Sequence, residues 1–164
     1  MTTVRSLATK RFLLVVLLSV IALAGCGSSH PLTVGELTSK ADLICERDNA
    51  KREELGRRVS TASSLRSAGV LEAIAESAPR VASYEMGAVS ELSELQPPSS
   101  LSREWDRLVG DLRELAKDTA RLGEYAKQRN ATAAEQLLAK SRGSRQRALS
   151  IATRHALAPC GRAN

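Results

Sequence analysis

The chain has 164 residues, a net charge of +6 at pH 7 and only 2% aromatic residues. This length suits a single domain. The basic excess by itself would suit nucleic-acid binding, but Arg5, Lys10 and Arg11 precede an apolar run and fall outside the domain argued below. Without residues 1–25 the balance is 21 basic against 18 acidic residues, or +3. A net charge of +3 is too small to indicate nucleic-acid binding. No nucleic-acid partner is therefore predicted.

The first 25 residues have the three parts of a secretory signal peptide. Basic residues come first, an uncharged apolar run follows over 12–23, and the small residues Ala24 and Gly25 precede Cys26. A transmembrane helix is one alternative, but a span needs about 20 apolar residues and this run is shorter. An ordinary secretory signal, with Cys26 unmodified, is the other alternative.

The motif Leu23-Ala24-Gly25-Cys26 resembles the lipobox of bacterial lipoproteins. The resemblance implies that residues 1–25 are cleaved and that Cys26 carries acyl chains. It also implies an anchor on the extracytoplasmic face of the cell membrane. Residues 26–32 are mostly small, polar or helix-breaking, so they predict a flexible tether, followed by a helical bundle domain over residues 33–164.

Helix-forming residues dominate nearly every window beyond the tether. The predicted helices, in chain order, are 33–60 (or from 38), 71–95, 101–126 and 132–157. Pro79 kinks or splits the second helix, and Pro159 ends the fourth. Because the connections are short, neighbouring helices should be antiparallel. The predicted fold class is therefore all-α, an up-down-up-down four-helix bundle.

With Cys26 assigned to the lipid, Cys45 and Cys160 remain as a pair in an oxidising compartment. A disulfide between them is the economical interpretation. The alternative is a metal or nucleophilic role for one thiol. One difficulty attends the disulfide, because Cys45 lies several turns into its helix whereas Cys160 lies beyond the end of its own. The first helix must therefore overhang the bundle, or its first turns are not helical.

Two acidic residues, Asp48 and Glu85, fall on the apolar stripes, that is, the inward faces, of the first and second predicted helices. Buried carboxylates with shifted pKa values are candidates for acid-base or metal chemistry. Tyr84, Glu85 and Trp105 form a candidate ligand-binding site between helices. Alternatively, the aromatic residues simply supply bulk to an alanine-rich core. The chain has no Glu-x-x-His pair for a metal bundle, no CxxCH motif for haem and no nucleophile motif, so neither a cofactor nor a catalytic residue is predicted.

The segment after Asn130 is strongly basic. It contains one acidic residue, Glu135, against six basic ones: Lys140, Arg142, Arg145, Arg147, Arg154 and Arg162. One interpretation is that this final helix faces anionic lipid headgroups or an acidic partner. The other is a solvated face whose arginines pair with acids on neighbouring helices.

Three further features resemble small lipoproteins of high-GC Gram-positive bacteria, which have no agreed activity. They are the segment Ala41-Asp42-Leu43-Ile44-Cys45, the Pro97-Pro98 break before Trp105, and the terminal Cys160-Gly161. The resemblance covers most of the mature chain and supports the cysteine pairing. We therefore predict a membrane-anchored, non-enzymatic interaction module that binds an envelope protein partner. The alternative function is binding of a small ligand or metal in the bundle interior.

Overall fold

The computed structural model describes residues 30–56, 65 and 67–161, and all regular secondary structure within them is helical. The helices are α1 (Val34–Gly56), α2 (Ala68–Glu94), α3 (Ser102–Lys127), α4 (Ala131–Arg154) and the short α5 (Ala158–Gly161). The prediction of an all-α helical bundle is confirmed. The predicted signal peptide, Cys26 and the predicted end of the first helix near Ser60 lie outside the described residues.

Consecutive long helices pack on one another, and α5 packs on both α1 and α4. The start of α1 lies beside the α2–α3 connection, because the Leu32 N–H donates to the Gln96 carbonyl at 2.8 Å. Leu37 of α1, Leu101 before α3 and Ile151 near the end of α4 line one small cavity. The long helices therefore alternate in direction. We call this end of the bundle the Pro97 end, and the opposite end, which carries the α3–α4 turn, the Asn130 end.

The first turn of α1 is closed by a capping box. The Thr33 backbone N–H and hydroxyl donate to Glu36 Oε2 at 2.9 and 2.7 Å, and the Glu36 N–H donates to Thr33 Oγ1 at 3.3 Å. This reciprocal pairing satisfies backbone N–H groups that a helix start leaves unpaired. Leu32, assigned to the tether on sequence, packs against the core. Val34, the first residue of α1, is 49% exposed.

Pro79 lies inside α2, yet α2 is one helix from Ala68 to Glu94 and is not split. Opposite this position α3 carries Gly123, which is buried. A Cβ on Gly123 would lie only 3.1 Å from the Ala78 Cβ and 3.4 Å from the Pro79 Cδ. The absence of a side chain at Gly123 therefore lets α2 and α3 approach closely around the proline.

The apolar side chains form two clusters. The main core takes residues from all five helices: Leu37, Ala41, Ile44, Cys45, Val89, Leu92, Trp105, Leu108, Val109, Ala148, Ile151, Ala152, Leu157 and Cys160. A smaller core lies on the α2–α3 side: Val70, Leu71, Ile74, Ala78 and Ala126. Asn130, whose side chain accepts from the Ala133 N–H at 3.0 Å, caps the start of α4.

The chain reverses after α4 by a left-handed residue, Ala156, with φ of 57°. The Leu157 N–H donates to the Ala152 carbonyl at 2.8 Å, which closes the turn. The chain then returns as α5, with Pro159 in its first turn, where a missing N–H costs little. The sequence did not predict α5. This helix explains how Cys45, inside α1, can pair with Cys160, beyond the end of α4. The helix α1 is regular from Val34, and α5 brings Cys160 back alongside it.

Candidate functional site

Cys45 and Cys160 form a disulfide, with sulfur atoms 2.05 Å apart and Cα atoms 5.0 Å apart. Both residues are buried in the main core. Beside the bridge, Asn49 Nδ2 donates to the Pro159 carbonyl at 2.8 Å. The predicted pairing is confirmed, and it joins α1 to α5 across 115 residues. Because both sulfurs are used in the bridge, neither is available as a metal ligand or nucleophile while it is intact.

Deeper along the bundle lies a group of polar side chains that we call the Glu85 cluster: Asp48 and Arg52 of α1, Glu85 of α2, Thr119 of α3 and Arg145 of α4. Arg52 contacts both carboxylates, with Nε 3.2 Å from Asp48 Oδ2 and Nη1 3.6 Å from Glu85 Oε1. The side chains of Asp48, Glu85 and Arg52 are 12%, 14% and 19% exposed. The two carboxylates are therefore largely buried, as their places on the apolar stripes predicted, and they share one guanidinium.

Burial raises the pKa of Glu85 above its ordinary value, and the negative charge of Asp48 adds to that rise. The Thr119 hydroxyl and the guanidinium groups of Arg52 and Arg145 oppose it. Burial likewise raises the pKa of Asp48, with Arg52 as the strongest opposing charge. Desolvation penalises the charged form of a carboxyl group, and here it outweighs the arginines. The cluster is thus suited to taking up a proton on a carboxylate.

Sequence reasoning missed three members of this cluster, namely Arg52, Thr119 and Arg145. Arg52 could have been found, because it follows Asp48 by four residues and shares its helix face. Nothing local points from Thr119 or Arg145 to Glu85, since the three residues meet only through the packing of α2, α3 and α4. Asp48 Oδ1, Glu85 Oε2 and Arg145 Nε are buried and have no hydrogen-bond partner within the described part of the chain.

The candidate ligand-binding residues Tyr84, Glu85 and Trp105 occupy different surroundings. Tyr84 is 39% exposed, and Lys51 Nζ lies 4.8 Å from the centre of its ring. Trp105 is 5% exposed and belongs to the main core. The cavity beside Trp105 has a volume of about 10 Å³, close to the space that one water molecule needs, and neither Tyr84 nor Glu85 lines it. Of the three candidate side chains, only that of Trp105 therefore lines this cavity.

The basic residues of α4 pair in part with acids of α3. Arg147 Nη2 lies 2.6 Å from Asp111 Oδ1, and Arg147 Nε also donates to that carboxylate. Arg154 Nη1 lies 2.6 Å from Glu104 Oε1, and His155 Nε2 bonds to the other oxygen of Glu104. For these residues the second interpretation, pairing with acids of a neighbouring helix, is the observed arrangement.

Within residues 30–56, 65 and 67–161, no three His, Cys, Asp or Glu side chains are grouped so that they could hold a metal ion. No helix among the same residues is both long and apolar enough to cross a membrane. Comparisons of the chain with protein-family models, with curated proteins and with solved structures gave no match.

Proposed function

We propose that the chain is a lipoprotein of the bacterial envelope, anchored through acyl chains on Cys26 and presenting its helical bundle outside the cytoplasm. The observation that carries the proposal is the buried Cys45–Cys160 disulfide. Disulfides persist in oxidising compartments and are rare in the cytosol. The bridge accounts for two of the three cysteines, and the third is Cys26 of the lipobox-like motif.

The proposed role of the bundle is to bind an envelope protein through its exposed helix faces, without catalysis. Several acyl chains on one cysteine hold a protein at a bilayer almost permanently, because each methylene buried in the bilayer contributes about 0.8 kcal/mol to membrane binding. Confinement to the membrane raises the local concentration of a partner in the same membrane, so modest affinity per contact suffices. Pairing of Arg147 and Arg154 with α3 acids weakens the case for a basic lipid-binding face on α4.

The alternative function is binding of a small ligand or metal in the bundle interior. The cavity beside Trp105 is far smaller than the 300–1,000 Å³ or so typical of ligand pockets. The Glu85 cluster is another place for such a ligand, because Asp48 Oδ1, Glu85 Oε2 and Arg145 Nε are buried there without a hydrogen-bond partner among the described residues. Native mass spectrometry of detergent-extracted protein separates the two functions: it detects either a protein partner or a stoichiometric small molecule.

The anchor is tested by Cys26→Ser, with Ser29→Ala, outside the motif, as the matched control. We expect the parent and the control to sediment with membranes through a high-salt wash and to be released by detergent. Cys26→Ser should appear in the soluble extracytoplasmic fraction. Intact-mass measurement should show the added acyl groups in the parent and the control but not in Cys26→Ser. If Cys26→Ser still sediments with membranes like the parent, the anchor is wrong.

A further inference from the structure

We infer that the Glu85 cluster is an internal hydration site, in which bound water joins the carboxylates of Asp48 and Glu85 to the guanidinium of Arg145. The site belongs to the bundle interior and does not depend on the lipid anchor. Three observations carry the inference: buried polar atoms without a partner, an ion pair too long for a direct hydrogen bond, and the position of the cluster between two apolar cores.

Three polar atoms of the cluster are buried without a hydrogen-bond partner among the described residues. They are Asp48 Oδ1, Glu85 Oε2 and Arg145 Nε. Asp48 and Arg145 both lie near enough to Glu85 to affect the pKa of that residue, so the three atoms share one site. Leaving one buried polar atom unpaired costs about 1–3 kcal/mol, and more when the group is charged. In folded proteins the large majority of buried polar groups have a partner, which is either protein or ordered water.

The ion pair that joins α1 to α2 is longer than a direct hydrogen bond. Arg52 Nη1 lies 3.6 Å from Glu85 Oε1, whereas direct N–H···O bonds span about 2.7–3.2 Å. A water molecule can bridge polar atoms at such a separation. Arg52 Nε lies closer to the other carboxylate, at 3.2 Å from Asp48 Oδ2. Arg52 is therefore held more closely to Asp48 than to Glu85, and water completes the contacts of Glu85.

The types of unpaired atom define what binds there. The two carboxylate oxygens accept hydrogen bonds and Arg145 Nε donates one, so the bound molecules must both donate and accept. With both carboxylates ionised, their two negative charges are balanced by the guanidinium groups of Arg52 and Arg145. Adding an ion to this balanced and largely buried site would cost free energy, so the bound molecule is neutral. Water meets these requirements, because a buried water molecule typically makes about three hydrogen bonds.

The cluster lies between the two apolar cores of the bundle. Along α2, Glu85 lies between Ala78 of the smaller core and Val89 of the main core. Along α3, Thr119 likewise lies between residues of the main core and residues of the smaller core. The charged side chains from α1 and α2 keep 12–19% of their surface exposed, so solvent reaches the edge of the cluster. Bound water thus forms a polar layer between the main core, towards the Pro97 end, and the smaller core, towards the Asn130 end.

A hydrated layer restricts what else can bind inside the bundle. Displacing an ordered water molecule by a group that does not reproduce its hydrogen bonds loses affinity. A ligand that enters the Glu85 cluster therefore has to be neutral and to carry hydroxyl or amide groups. For the alternative function, this requirement favours a polar organic molecule over a metal ion.

Nuclear magnetic resonance tests the inference through the Arg145 Nε–H. The protein carries Cys26→Ser so that no acyl chain is added. The Arg145 signal is assigned by correlation along its own side chain and by its absence in Arg145→Lys. We expect cross-peaks between this proton and water that have opposite signs in laboratory-frame and rotating-frame Overhauser spectra. Opposite signs mark a water molecule that stays bound, whereas exchange of the proton itself gives the same sign in both spectra.

Arg147 is the matched control, because its Nε donates to Asp111 and its side chain is 62% exposed. Its Nε–H should give no cross-peak of opposite sign. The inference is overturned if the Arg145 Nε–H gives none either, or if Arg145 and Arg147 behave alike.

A high-resolution crystal structure of the same protein supplies a second measurement that needs no substitution in the cluster. We expect an ordered water molecule within about 3.2 Å of at least two of the three unpaired atoms. Direct pairing of these atoms with protein groups, a dry site, or a metal ion or other small molecule in the place of water overturns the inference. None of these outcomes bears on the lipid anchor, which membrane fractionation of Cys26→Ser tests separately.

Discussion

Removing the Cys45–Cys160 disulfide should lower the free energy of unfolding by about 5 kcal/mol. The bridge closes a loop of 115 residues. In the chain-entropy model, closing such a loop lowers the entropy of the unfolded chain by about 16 cal/mol/K. This destabilises the unfolded state by about 4.8 kcal/mol at 25 °C. Domains of this size are stable by about 5–15 kcal/mol. The bridge therefore accounts for a third or more of the stability of the bundle.

The assay compares Cys45→Ala/Cys160→Ala with its parent, both carrying Cys26→Ser so that neither is acylated. Thermal unfolding is followed by circular dichroism at 222 nm, the usual signal of helix. With about 2.1 cal/mol/K of unfolding entropy per residue and roughly 130 residues in the bundle, a loss of about 4.8 kcal/mol lowers Tm by about 17 °C. Urea titration measures the same difference as a change in midpoint.

Reduction supplies the internal control. Dithiothreitol should lower the Tm of the parent towards that of the double variant and leave the double variant unchanged. The reasoning is refuted if the double variant melts within about 3 °C of its parent, which corresponds to under 1 kcal/mol. It is also refuted if dithiothreitol destabilises the double variant, because the loss would then not come from this bridge.

Two further predictions concern the buried polar cluster and the α2–α3 contact. Burial raises the pKa of Glu85 above 4.5, so the folded protein binds a proton there before the unfolded chain does, and stability falls as pH rises above about 4.5. Relative to Glu85→Gln, the parent should therefore lose stability between pH 4.5 and 8 in urea titrations, and a pH-independent difference contradicts this. Gly87→Ala meets no atom within 4 Å and should stabilise α2 by up to about 1 kcal/mol. Gly123→Ala, whose Cβ would lie 3.1 Å from Ala78, should be about 1 kcal/mol less stable than Gly87→Ala, and equal melting temperatures would contradict close packing at Gly123.

Much of the helical architecture is readable from local sequence because helix starts and ends depend on neighbouring residues. Thr33 and Glu36 form the capping box near the predicted start of the first helix, and Asn130 caps α4 where a turn was predicted. Pro97 and Pro98 separate α2 from α3 as expected. The spacing of apolar residues also placed Asp48 and Glu85 on inward faces, and both side chains are largely buried.

The local pattern misled where distant packing decides the outcome. Pro79 predicted a kink or a break; α2 is not broken and continues past it, and Gly123 of α3 lets the two helices pack closely there. Pro159 predicted only an ending, but a left-handed Ala156 turns the chain back and starts α5. Tyr84 and Trp105 are both aromatic, but Tyr84 is exposed and Trp105 lies in the main core.

By itself, the sequence determined a helical bundle, an economical pairing of Cys45 with Cys160 and the lipobox-like motif on which the proposed anchor depends. These follow from short-range propensity, hydrophobic period and a count of cysteines. Only the tertiary structure decided that Arg52 serves both Asp48 and Glu85 and that α5 carries Cys160 to α1. It also decided which end of the bundle holds Leu32. These are contacts between residues far apart in the chain, and local sequence patterns do not specify which helices pack against each other.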